Sequence, residues 1–252
     1  MIVLRCEQGS PEWRQARCGI PTASRFDRII TPKTRKASAQ QVGLRNELLA
    51  EWISGTPSDD FASEFMQRGK LLEPEAVAAY EWERGVTVDR VGFVRHDDLA
   101  VGCSPDGLVG DDGGLEIKCY GMEHHIGALL SPNPDAEHLC QIQGCLWITD
   151  RRWWDRYYYH PTLPSVLVRV ERDEEFIHAL AVEVEAFVHR LEEAKGTLRK
   201  MGVTPTDPTA YVDTWSGPPA MAPRSPEQQA EYERRSELLR AARAELAKDF
   251  IK

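Results

Sequence analysis

The sequence predicts a mixed α/β fold of the α+β kind, a β-sheet flanked by helices with one added C-terminal helix, and three patterns carry that prediction. Residues 115–119 alternate apolar and polar side chains, while 153–159 and 166–170 are rich in aromatic and β-branched residues, as strands are. Phe176, Leu180, Val184, Phe187 and Leu191 recur at helical spacing, and so do Leu72, Ala76, Val77 and Tyr80. Residues 204–223 then turn to Pro, Thr, Gly and Ala, which reads as a linker or arm separating a first domain, 1–203, from an amphipathic helix over 224–252. In that last helix Leu238, Ala242, Leu246 and Phe250 recur every four residues, and the stripe must pack on the parent domain, a neighbouring subunit or a partner.

Composition bounds the rest. A chain of 252 residues that is 42% hydrophobic buries one substantial core. No apolar run approaches the roughly 20 residues needed to span a bilayer, and Met1-Ile2-Val3-Leu4-Arg5 is too short for a signal peptide, so the expectation is a cytoplasmic protein without a membrane partner. Cys6, Cys18, Cys103, Cys119, Cys140 and Cys145 form no C-x-x-C pair, which argues for buried thiols over a zinc site or disulfides. A net charge of −9 has the wrong sign for a generic nucleic-acid binder, so DNA contact would need localised cations.

In chain order, Ser10 and Pro11 open a helix that carries Trp13 and Arg17 and ends at Gly19. Thr22 starts a second, with Ser24 in its first turn, where free N–H groups favour a phosphate; Arg17 and Ser24 are candidate phosphate contacts. Residues 31–36 form a basic loop whose Lys33 and Arg35 are candidate DNA contacts, ahead of a helix capped by Ser38 and running to Ile53. A helical stretch from Ser63 to Arg84 is interrupted at Arg68-Gly69-Lys70 and Pro74 and reads as two helices. Glu73 is the one charge on its apolar face, explained either by exposure or by a partner such as a metal. Residues 86–94, 99–103 and 115–119 read as an antiparallel sheet, and 122–125 as irregular, where His124 and His125, being adjacent, would face opposite ways in a strand and so argue against a shared metal. Asn133-Pro134-Asp135 caps a helix through Trp147 that carries Gln141 and Gln143, and Asp173 caps a long helix ending near Gly202.

The chemistry concentrates at Ser104-Pro105-Asp106 and Gly114-Leu115-Glu116-Ile117-Lys118. Side chains at i and i+2 of a strand share a face, so Glu116 and Lys118 point together while Leu115, Ile117 and Cys119 turn to the core. Asp106, Glu116 and Glu73 supply oxygen ligands suited to Mg²⁺ or Mn²⁺, and the Ile117 carbonyl adds a fourth. Phosphodiester hydrolysis needs an activated water, neutralised phosphate charge and help for the leaving oxygen, which such ions supply. Lys118 would orient or deprotonate the water, its pKa lowered by metal charge.

Ser104-Pro105-Asp106-Gly107-Leu108 with Gly114-Leu115-Glu116-Ile117-Lys118-Cys119 resembles the catalytic core of the lambda exonuclease and YqaJ-type viral recombinase family, within the PD-(D/E)XK nuclease superfamily. Trp13 with Arg17, Gly19, Thr22, Ala23 and Ser24, Arg68-Gly69-Lys70 with Glu73, Gln141-Ile142-Gln143 with Leu146-Trp147-Ile148-Thr149, and Glu171-Arg172-Asp173-Glu174 agree in order and spacing. The resemblance implies a restriction-endonuclease-like core with a central mixed sheet, and a 5′-to-3′ exonuclease that leaves a 3′ single strand for phage-type recombination. It implies Asp106, Glu116 and Glu73 as ligands of two Mg²⁺ or Mn²⁺ ions, Lys118 as catalytic lysine and Gln141 as active-site glutamine. It further implies that Arg17, Ser24 and Ser104 hold a 5′-phosphate and that Met66 splits the terminal base pair. His124 stands where the family places an arginine, and histidine is only partly charged at neutral pH. Implied partners are double-stranded DNA ends, two further copies in a homotrimeric ring, and a single-strand annealing protein, in a bacterial host and with a phage or prophage origin. Two other readings are an endonuclease or CRISPR-adaptation-type nuclease of the superfamily, and a non-catalytic DNA-end scaffold. The scattered cysteines disfavour an adaptation nuclease with an iron–sulfur cluster, and the intact Asp106, Glu116 and Lys118 disfavour the scaffold.

Overall fold

The computed structural model describes residues 1–57, 64–131 and 136–205, with the side chains of 64–67, 136 and 137 also outside the description. The linker beyond 205, the helix over 224–252, and the caps at Ser63 and Asn133 to Asp135 therefore lie outside the described residues.

Strand β1 (Ile2–Leu4) leads into helix α1 (Pro11–Arg17), which starts as the sequence predicts: Ser10 Oγ accepts from the Trp13 N–H at 3.2 Å and Pro11 fills the first turn. A 3₁₀ helix, Ala23–Arg28, follows Thr22. The expected basic loop is the tip of a hairpin, β2 (Ile30–Thr31) with β3 (Lys36–Ala37). Helix α2 (Gln41–Ser54) begins later than expected, because the Ser38 hydroxyl accepts from the Gln40 N–H (3.3 Å) and caps a bend instead.

Helix α3 (Glu64–Arg84) corrects the expectation of two helices, since it runs unbroken through Gly69 and Pro74. Proline there removes the donor that would serve the Lys70 carbonyl. Burial of Ala76, Val77 and Tyr80 against Val88, Val109, Leu115, Ile117 and Tyr157 outweighs that local loss.

The expected strand over 86–94 is two, β4 (Val88–Asp89) and β5 (Phe93–Arg95), which enter different sheets. The break falls at Gly92, whose N–H donates to the Leu4 carbonyl (3.1 Å) and where a Cβ would lie 2.3 Å from the Cys6 carbonyl oxygen. Residues 99–103 contribute only β6 (Gly102–Cys103), which pairs with β5 in a three-stranded sheet with β1. The antiparallel partner of β8 (Gly113–Lys118) is therefore β7 (Gly107–Val109), which was not among the expected strands. Helices α4 (Met122–Leu130) and α5 (Ala136–Thr149) cross over to β9 (Trp153–Tyr158), which lies parallel to β8, and β10 (Val166–Glu171) closes the edge antiparallel to β9. The result is a five-stranded mixed sheet in the order β10-β9-β8-β7-β4.

Residues 122–125, expected to be irregular, are the first turn of α4. Asp173 caps α6 (Glu174–Lys200) as predicted, accepting from the Phe176 N–H at 3.0 Å, and Phe176, Leu180, Val184, Phe187 and Leu191 are all buried. Trp154, Tyr157 and Tyr158 are core residues too. Cys103, Cys140 and Cys145 are buried and Cys6, Cys18 and Cys119 half-buried, all as free thiols. No helix among the described residues is long and apolar enough to cross a membrane.

Candidate active site

Asp106 immediately precedes β7, and Glu116, Ile117 and Lys118 end β8. The antiparallel pairing brings the two segments together, and Asp106 Oδ2 accepts from the Ile117 N–H at 2.6 Å. Glu116 and Lys118 share a face as period two requires, with Lys118 Nζ 2.8 Å from Glu116 Oε1. Helix α5 then delivers Gln141, whose Nε2 donates to the same Glu116 oxygen at 2.9 Å. Glu73, on α3, lines the same cavity of about 580 Å³ together with Asp106, Glu116, Ile117 and Lys118. Its carboxylate is paired with Arg90, from the β4–β5 connection, so the partner that the sequence left open is in this structure a guanidinium.

Three carboxylates around one cavity repel each other. Burial, and then the charge of Glu116, hold the Asp106 carboxyl well above the usual carboxylate range; the Ile117 N–H opposes this and Glu73 adds to it. Burial draws the Lys118 ammonium down, but the charge and hydrogen bond of Glu116 outweigh it, so its net direction is up. Lys118 is thus held as the cation of an ion pair with Glu116. Burial, then Asp106 and Glu73, push the Cys119 thiol up to about 12. Among the described residues no three acidic, histidine or cysteine side chains stand as a ready-made ligand cage, since Glu73 is drawn to Arg90 and Glu116 to Lys118. The donor set nonetheless fits a hard divalent cation: it is all oxygen, and three of its four groups are carboxylates.

Arg17, Ser24 and Ser104 gather on the α1 side. The Arg17 guanidinium lies 4.0 Å from the Trp13 ring centroid, and the Trp13 indole N–H donates to Ser104 Oγ at 2.9 Å. Ser24 Oγ is 3.1 Å from Thr22 Oγ1, and Thr22 bridges to Gly102, two residues before Ser104. His124 is exposed on α4, lines the cavity, and lies beside Tyr120 with ring centroids 6.0 Å apart. His125 turns away and is buried, its Nε2 2.8 Å from the Pro164 carbonyl.

Lys33 and Arg35 do not line the cavity. Arg35 is committed to the start of α6, pairing with Glu175 (3.1 Å) and Asp173 (3.6 Å). Met66 lies on α3, and its side chain is outside the described residues. Sequence reasoning assigned no role to Trp13, Arg68, Lys70, Arg90 or Tyr120. For Arg68 and Lys70 the signal was there, since both fall within a turn and a half of Glu73 on one helix; for Arg90 none was, because a loop charge can reach many partners.

The mixed sheet, the flanking helices and the Asp106, Glu116 and Lys118 cluster on adjoining strands define a nuclease with a restriction-endonuclease-like fold. The YqaJ-like viral recombinase domain matches residues 12–152, more than half of the chain, and the chain belongs to that family. It is similar to the alkaline exonuclease LHK-Exo from Laribacter hongkongensis, with 35% identity and a TM-score of 0.69 over 77% of this chain and 98% of that one. A structure of LHK-Exo in complex with dAMP gives 37% identity and a TM-score of 0.68 with the same coverage. A phage related exonuclease from Haemophilus somnus 129PT shares the fold, at 15% identity and a TM-score of 0.55 over 71% of this chain and 96% of that one. A comparison with curated proteins finds no match. By its kinship the chain is an exonuclease.

Proposed function

We propose that the protein is a metal-dependent 5′-to-3′ exonuclease that works inward from double-stranded DNA ends and leaves 3′ single-stranded overhangs for phage-type recombination. The observation that supports this most is the convergence of Asp106, Glu116, Lys118 and Gln141 through the 2.6, 2.8 and 2.9 Å hydrogen bonds in one cavity. Asp106, Glu116, the Ile117 carbonyl and Glu73 are the groups that would hold Mg²⁺ or Mn²⁺, two ions per site, with Glu73 shared between the metal and Arg90. Such ions supply an activated water and neutralise phosphate charge.

Lys118, as an ammonium held by Glu116, orients the attacking water and stabilises charge growing on the phosphate. Gln141 keeps the Glu116 carboxylate in that orientation. Arg17, Ser24 and Ser104 grip the terminal 5′-phosphate, with Trp13 fixing both the guanidinium and the Ser104 hydroxyl, and His124 offers a ring N–H from α4. Met66 is the proposed wedge at the terminal base pair. A homotrimeric ring would gather the cations of a chain with net charge −9 around the duplex, and a single-strand annealing protein would take up the product in the cytoplasm of a bacterial host.

Linear and circular duplexes, incubated with Mg²⁺ and strand-specific labels, test the reading. Mononucleotides should leave the 5′ ends of linear DNA only, and Lys118→Ala should lose on the order of 10²–10⁴ in rate while remaining folded and bound to ends. Nicked circles, or a Lys118→Ala protein at near full rate, would sink it.

A further inference from the structure

Arg68, Gly69 and Lys70 form one turn of α3 ahead of Glu73, and all three line the cavity that holds Asp106, Glu116 and Lys118. Glycine inside a 21-residue helix weakens it, because the unfolded chain gains most freedom there. The fold does not ask for this one. Gly69 does not have a positive φ, and a Cβ added to it would meet no described atom within 4 Å. Alanine would fit and would make a better helix. A bare stretch of helix backbone in the wall of a catalytic cavity is what close approach by a ligand requires.

Its neighbours state the ligand's charge. Lys70 Nζ stands 3.8 Å from where a Cβ of Gly9 would be, beside the Ser10 cap of α1, the helix that carries Trp13 and Arg17. Arg68 Nη1 stands 3.6 Å from the corresponding point at Gly121, the N-cap of α4, the helix that carries His124. One cation thus stands beside the start of α1, the other beside the start of α4, and open backbone lies between. In an acidic chain, two cations flanking a bare surface suit a run of phosphates.

We propose that the Arg68-Gly69-Lys70 turn is the bed for the sugar–phosphate backbone of the strand being cut, with Gly69 admitting the strand against the helix and Lys70 and Arg68 contacting phosphates to either side. The inference rests on the nuclease reading above. It is tested in the full chain by melting temperature and by fluorescence anisotropy on a 5′-phosphorylated linear duplex, in a Lys118→Ala background with Mg²⁺ so that the strand stays whole.

Gly69→Ala should melt higher yet bind DNA about tenfold more weakly, as when a methyl is forced into a close contact. Lys70→Gln should lower the slope of log K against log salt by about 0.7–0.9, one phosphate contact. The proposal is overturned if Gly69→Ala binds as tightly as its parent, if it melts lower and so shows the glycine to be structural, or if Lys70→Gln keeps the full slope. A wild-type chain that cuts linear duplex while Gly69→Ala cuts it equally well sinks this inference alone. A wild-type chain that neither binds nor cuts DNA sinks the nuclease reading with it.

Discussion

Replacing Asp106 by Asn is expected to make the protein more stable and nearly inactive. The change removes a charge and little volume, and keeps an oxygen for the Ile117 N–H, now 2.6 Å from Asp106 Oδ2. Burial and the charge of Glu116 raise the Asp106 carboxyl well above its ordinary range, so its ionised form costs stability at neutral pH. Relieving that strain should add on the order of 0.5–2 kcal/mol, toward the lower end because Asp106 stays partly open to the cavity. For a chain of this size that is about 2–4 °C in melting temperature per kcal/mol. The sign fixes a pH profile. A group raised in the folded state contributes stability that is whole below its unfolded pKa, about 3.9, and is lost as pH rises through the folded value. The lead of Asp106→Asn over wild type should therefore be nil near about pH 3 and grow with pH. Cleavage moves the other way, with the loss of one ligand costing on the order of 10²–10³ in rate, or about 3–4 kcal/mol. Calorimetry in EDTA across this pH range, with mononucleotide release in Mg²⁺, reads both. A variant that melts lower than wild type at neutral pH, or that cuts at the wild-type rate, would refute the reasoning.

Glu51→Ala should cost about 3–5 kcal/mol in urea unfolding, because it strands a buried ion pair. Glu51, 3% exposed, accepts from Arg25 Nη1 at 2.9 Å and from the Gly19 N–H at 3.1 Å, which ties down the turn between Arg17 and Ser24. A cost below about 1 kcal/mol would mean that the pair is worth no more than a surface one. His160 is buried, and burial, then His125 and Arg68, lower its pKa. The unfolded chain takes up that proton more readily, so stability should fall as pH drops below about 6.5, and His160→Asn should flatten the fall. Melting curves of the two proteins that stay parallel between about pH 5 and 7.5 would argue against this.

Features that rest on short-range rules were readable in the sequence. The caps at Ser10 and Asp173, the α6 stripe, and the shared face of Glu116 and Lys118 all depend on residues a few positions apart. So did the carboxylate set, because Asp106 and Glu116 meet through a hairpin. What failed was pairing and continuity. Gly-Leu-Val of β7 is too short and too glycine-rich to show a strand period, and the Gly92 break depends on Cys6, far away in the chain. Pro74 looks like a breaker until the sheet on which α3 packs is known. The pairing of Arg35 with the acidic start of α6 was not readable either, because that helix lies at the other end of the domain. Glu73 lines the cavity with Asp106 and Glu116, and its pairing with Arg90 is a tertiary contact that no local pattern announces.

Strand β8 takes its antiparallel neighbour, β7, from the segment just before it, and its parallel neighbour, β9, from beyond α4 and α5. During synthesis the two halves of the cavity therefore arrive at different times. The hairpin closes over a short loop at little entropic expense, whereas β9 and the Gln141 contact wait for the crossover to be made. An incomplete chain holds the carboxylates without holding them still, and its capacity to cut matures only when a strand far downstream of the chemistry has docked.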